Sequence, residues 1–118
     1  MQQPLSITFR HIETSPALEH RIREEADKLE TLYGRITSCH VVVEAPQHGP
    51  HQGGLFRVSV DLRLPGKVIA VTGPRRKDHA HEDAYVAVRD AFEAVARRLE
   101  DHARRARGDV KTHRTSAS

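Results

Sequence analysis

The feature that most constrains this chain is an amphipathic stretch near its C-terminal end, from Glu82 to about Arg105. Tyr85, Val88, Phe92, Val95 and Leu99 recur at spacings of three and four, with Ala91, Ala96 and Ala103 beside them. That period places them on one stripe of an α-helix. The opposite surface carries Arg89, Arg97, Arg98, Arg104 and Arg105. Such a helix closes a core with one face and offers cations to a partner with the other.

The remaining elements must supply what this stripe packs against. Leu5, Ile7 and Phe9 alternate with Ser6, Thr8 and Arg10, which predicts a strand with one buried face. Ser15 followed by Pro16 reads as an N-cap and first helical residue. Leu18, Ile22, Ala26, Leu29 and Leu32 then predict a helix from about Pro16 to Tyr33. Gly34 is placed to end it in the left-handed conformation. Cys39, Val41 and Val43 alternate with His40, Val42 and Glu44 as a second strand. Ala45 to Gly54 is rich in glycine and proline and reads as a loop. Phe56, Val58, Val60 and Leu62 form the clearest strand. Pro65-Gly66 turns the chain into a fourth, Val68 to Thr72, as a hairpin. Gly73 to Ala80 is a polar loop with Arg75, Arg76 and Lys77.

The order β-α-β-β-β-α predicts an α+β two-layer sandwich, with two helices on one sheet face and water on the other. At 118 residues and 37% apolar content, the chain suits one domain with one core. The expected division is an α+β domain over 1–106 and a polar, disordered tail over 107–118. With no tryptophan and 4% aromatic residues, that core must be aliphatic. No apolar run approaches the ~20 residues of a membrane span. The N-terminus does not read as a secretory signal. A single cysteine, Cys39, leaves no internal disulfide. A cytoplasmic setting is the expectation.

Catalytic and metal readings find little support. Nine histidines invite a zinc site, but His48, His51, His79 and His81 fall on loops. A zinc site wants three or four ligands on ordered elements. Cys39 takes the inward position of its strand, where a thiol is inert. There is no phosphate-binding loop, dinucleotide fingerprint or nucleophile elbow. Asp83 reads as a helix N-terminal acid and Tyr85 as a core anchor. The expectation is no enzyme activity, no metal and no cofactor.

Charge is the stronger signal. Residues 1–96 carry 12 basic and 13 acidic side chains, whereas 97–118 carry 7 and 3. The positive excess therefore gathers at the end of the last helix, as suits a polyanion. Arg97, Arg98, Arg104 and Arg105 lead the candidates, followed by Arg89, Lys28, Arg21 and Arg23, then Arg75, Arg76 and Lys77. Arginine's planar fork binds two phosphate oxygens at once. Few exposed aromatics argue against base stacking and favour reading structured RNA through its backbone. The rival readings are a protein-interaction module that never touches RNA and, more remotely, a metal-dependent enzyme built on the histidine loops.

Over residues 5–106 the chain resembles the short ribosome hibernation-promoting factors and the related ribosome-associated inhibitor of translation. The resemblance rests on an ordered set of short matches. They are Ile7 to Phe9, Ala17-Leu18, Lys28-Leu29, Arg35-Ile36 and Val41-Val42-Val43, then Leu64-Pro65-Gly66, His81 to Tyr85, Ala87-Val88 and Arg97-Arg98-Leu99. It implies a fold like the double-stranded-RNA-binding domain. It also implies a non-catalytic role in the small ribosomal subunit, with helix cations on ribosomal RNA and translation blocked under stress or in stationary phase. Neither a membrane nor a small-molecule substrate is implied as a partner. Ala94 and Asp101 stand where members usually carry basic residues, and Arg89 replaces a common acid or amide. The second domain of long members, through which ribosomes dimerise, has no counterpart in these 118 residues.

Overall fold

The computed structural model describes residues 5–45, 56–73 and 84–117. Its elements are β1 (Ser6–Arg10), α1 (Pro16–Leu32), β2 (Ser38–Glu44), β3 (Arg57–Leu64), β4 (Lys67–Gly73) and α2 (Ala84–Ala117). This is the predicted β-α-β-β-β-α order. The four strands lie in sequence order, β1-β2-β3-β4. β1 runs parallel to β2, with Ile7 opposite Val41. The other pairings are antiparallel, with Val41 opposite Val60 and Val60 opposite Val71. Parallel pairing of β1 and β2 follows from the helix between them, which returns the chain to its starting edge.

The strand alternation sorts the two faces as expected. Cys39, Val41, Val43, Val58, Val60, Leu62 and Ile69 are buried. They form one cluster with Leu18, Ile22, Ala26 and Leu29 of α1 and Val88, Phe92, Val95 and Leu99 of α2. Both helices therefore cover the same sheet face. The other face presents Thr8, His40, Ser59 and Asp61, with Thr8 Oγ1 3.1 Å from His40 Nε2.

The start of α1 is built as its sequence predicts. Ser15 is extended, and its Oγ accepts the Leu18 N–H at 3.2 Å while its carbonyl accepts the Glu19 N–H at 2.9 Å. Pro16 has no N–H to leave unpaired there. The end of α1 differs from expectation. The chain leaves through an extended Tyr33, φ −149°, whose N–H still donates to the Leu29 carbonyl at 2.9 Å. Gly34 is not left-handed, because the turn is already made one residue earlier. Among the described residues the left-handed conformations belong to Gly66, φ 74°, in the β3–β4 turn, and to His11, φ 59°, just after β1.

Two expectations at α2 are corrected. Tyr85 is 40% exposed and does not anchor the core, because the inward positions of the first turns go to Ala87, Val88 and Ala91. The helix also continues past Arg105 to Ala117, where a disordered tail was expected. Helical hydrogen bonds are local and outlast the apolar stripe, and no proline interrupts this stretch; Gly108 alone opposes it strongly. The 46–54 part of the expected Ala45–Gly54 loop, with His48 and His51, lies outside the described residues. So do 74–83, with Arg75, Arg76, Lys77, His79, His81 and Asp83, and so does Ser118.

Candidate nucleic-acid interface

Eight of the predicted cations fall on described parts of α1 and α2, and the fold divides them. On α1, Arg21 and Lys28 share one acceptor. Arg21 Nε donates to Glu25 Oε2 at 3.0 Å, and Lys28 Nζ lies 3.5 Å from the same oxygen. Glu25 is 8% exposed and is the one buried charged residue among those described. Its carboxylate tolerates that position because two cations flank it at helical spacings of three and four. It also draws those two side chains together on one flank of α1. Arg23 is exposed, with no hydrogen-bond or ion-pair partner among the described residues.

On α2 the two arginine pairs do not act as pairs. At 3.6 residues per turn, residues seven apart share a side of the helix, and adjacent residues do not. Arg98 and Arg105 therefore share one flank, and the structure sets them against β4, where both line a groove with Lys67. Arg98 Nη1 donates to the Ala70 carbonyl at 2.7 Å, tying the helix to the edge strand. Arg97 and Arg104 share another side. Arg104 reaches the crevice between the two helices, beside Leu32, Tyr33 and Ala103. It also donates to Asp101 Oδ1 at 2.6 Å. Arg89 rests on its neighbour, with Nη2 3.3 Å from Asp90 Oδ1. Arg97 and Arg105 have no such partner among the described residues.

Two contributors escape the sequence reading. Glu25 was legible in principle, because Arg21, Glu25 and Lys28 have the spacing of helical ion pairs. Lys67 was not, since its approach to Arg98 and Arg105 depends on how α2 crosses β4.

The Cys39 thiol is 1% exposed and pushed up to about 12, mainly by burial and secondarily by the nearby Asp61 carboxylate. It stays protonated and unreactive at neutral pH, as its inward position predicts. Among the described residues no three of His, Cys, Asp or Glu come together as a metal site. Nor is any described helix long and apolar enough to cross a membrane.

The β-α-β-β-β-α frame agrees with the outcome of comparison. The family model described as sigma 54 modulation protein / S30EA ribosomal protein matches residues 5–107. The chain belongs to this family. Two solved structures show the same fold as this S30EA family member. One is a ribosomal subunit interface protein from Coxiella burnetii, with TM-score 0.67 and 16% identity over 83% of this chain and 94% of that one. The other is the N-terminal domain of Protein Y from Thermus thermophilus, with TM-score 0.66 and 15% identity over 82% and 94%. At such low identity the shared property is the β-α-β-β-β-α architecture. The S30EA match covers α1, all four strands and α2 through Arg107.

Proposed function

We propose that this chain is a ribosome-associated factor that binds small-subunit ribosomal RNA in the channel for messenger and transfer RNA. It thereby represses translation in stressed or stationary cells. It works in the cytoplasm by occupancy, without catalysis, cofactor, membrane or small-molecule substrate. The observation that carries this reading is the family match over residues 5–107. Outward cations on both helices support the choice of RNA over a protein partner. Arg97 and Arg105 have no acidic partner among the described residues, and phosphate would supply one. The Arg75, Arg76 and Lys77 cluster is proposed as part of the same interface on charge alone.

Co-sedimentation with ribosomes on sucrose gradients tests this. The protein is expected to travel with the small subunit or whole ribosome at low salt and to be released as salt rises, because phosphate contacts displace counterions. Replacing Arg97, Arg98, Arg104 and Arg105 together by alanine is expected to abolish comigration. Retention by that variant, or wild-type protein remaining at the top of a low-salt gradient, rejects the reading. Comigration insensitive to salt would point instead to a protein-interaction module.

A further inference from the structure

We propose that Arg98 guards the outer edge of β4, and that its bond to the Ala70 carbonyl keeps this edge from pairing with the same edge of a second copy of the chain. The inference does not rest on the ribosome reading. β4 closes one side of the sheet order β1-β2-β3-β4, so no described strand lies beyond it. Leu64 faces Lys67 across the Pro65-Gly66 turn, and the register continues with Ile69 opposite Leu62 and Val71 opposite Val60. In a hairpin with a two-residue turn the pair flanking the turn is hydrogen-bonded, and every second pair after it is bonded too. Lys67, Ile69 and Val71 therefore bond to β3, while Val68, Ala70 and Thr72 turn their N–H and C=O groups to the open edge. The Arg98 contact agrees with this alternation, because the carbonyl it reaches is that of Ala70. Among the described residues, no other edge-facing group of Val68, Ala70 or Thr72 has a partner.

An open edge of this composition is a template for strand addition. It reads Val68-Ile69-Ala70-Val71-Thr72, rich in β-branched residues and without a charge. Val68 is 51% exposed, and Ala70 and Thr72 are exposed beside it. The other outer strand, β1, is shorter and ends on the exposed Arg10. The β4 edge is also self-complementary. Antiparallel pairing about Ala70 sets Ala70 of one copy opposite Ala70 of the other, and Val68 opposite Thr72. Every outward N–H then meets an outward carbonyl, and the uncharged side chains offer no repulsion. The central bonds of that ladder are both accepted by Ala70 carbonyls. Arg98 Nη1 already donates to that carbonyl at 2.7 Å, and a charged donor outcompetes an amide N–H for it. Pairing would also bring the two Arg98 guanidinium groups together across the axis, where like charges repel. One side chain thus blocks the ladder at its middle. A single terminal nitrogen of Arg98 is engaged, so this role is separate from any phosphate contact made by the others.

The test is the oligomeric state of the full chain, measured by size-exclusion chromatography with multi-angle light scattering over a concentration series. Wild-type protein is expected to hold the 13.3 kDa of one chain. Arg98→Ala is expected to move to twice that mass as concentration rises, because an edge-to-edge pair is closed by its two-fold symmetry. Amide hydrogen exchange at Val68, Ala70 and Thr72 should slow in the same variant. Adding Ala70→Pro to Arg98→Ala is expected to restore the monomer. The Ala70 N–H points outward, so proline there removes a donor from the edge and none from the pairing with β3. Arg97→Ala makes the same change of charge one residue away and is expected to stay monomeric. A folded Arg98→Ala that remains monomeric overturns the proposal, as does wild-type protein that already dimerises. Association that Ala70→Pro leaves unchanged means another surface and overturns it too. So does an equal response of Arg97→Ala, which would mean a net-charge effect, or open-ended growth in mass, which a closed pair cannot give. If Arg98→Ala fails to fold, Arg98→Met, which keeps an aliphatic stem without a donor, is read by the same criteria.

Discussion

At the scale of single residues, burial decides which polar groups act. Cys39 and Glu25 are both enclosed, with opposite results. No cation among the described residues favours the Cys39 thiolate, and burial then Asp61 push the thiol from an ordinary 9.0 to about 12. Glu25 has Arg21 and Lys28 against it and holds them together. The thiol has a thermodynamic consequence. Above pH 9 the unfolded chain ionises its cysteine while the folded chain keeps the proton, so the unfolded state is favoured as pH rises from 9 towards 12. Urea denaturation at pH 8 and pH 10.5 should therefore show a larger loss of stability in the wild type than in Cys39→Ala. Equal losses would mean that the folded thiol ionises normally. The same burial predicts no reaction with a thiol reagent in the native state.

At the scale of elements, local chemistry accounts for most boundaries. Ser15 and Pro16 start α1 where their capping chemistry demands, and Pro65-Gly66 turns β3 into β4. Gly66 sits at φ 74°, and a side chain there meets no heavy atom within 4 Å. The strain of an alanine at this position is purely conformational. Gly66→Ala should cost about 1–2 kcal/mol, read as a lower denaturation midpoint with an unchanged m-value. A cost near zero would mean that the turn relaxes to another type. The two elements that departed from expectation did so because competing local signals were close in strength. Tyr33 made the exit from α1 before Gly34 was needed, and the polar end of α2 holds helical form without an apolar stripe to bury.

At the scale of the whole molecule, stability rests on the layer between helices and sheet. Phe92 is 2% exposed and is the largest side chain in that layer. An aliphatic core with few aromatics has no large neighbour to fill the space it would vacate. Phe92→Ala should cost about 3–5 kcal/mol, measured by chemical denaturation. A loss below 1 kcal/mol would mean that the helices collapse onto the sheet without strain.

The sequence by itself determined the element order, the buried faces of β2 and β3, most of the apolar stripes of the two helices, and the inward placement of Cys39. Each follows from periodicity or capping, which act over a few residues and are written directly in the chain. It also singled out the cations of the two helices as candidates, since charge asymmetry survives folding unchanged. The tertiary structure alone decided how those cations are grouped. Arg97 and Arg98 are neighbours in sequence, yet a 3.6-residue turn sends one away from the core and the other onto the Ala70 carbonyl. Lys67 joins Arg98 and Arg105 because α2 crosses β4. That crossing is set by the packing of Val95 and Leu99 against the sheet, a contact between distant segments that no local pattern encodes.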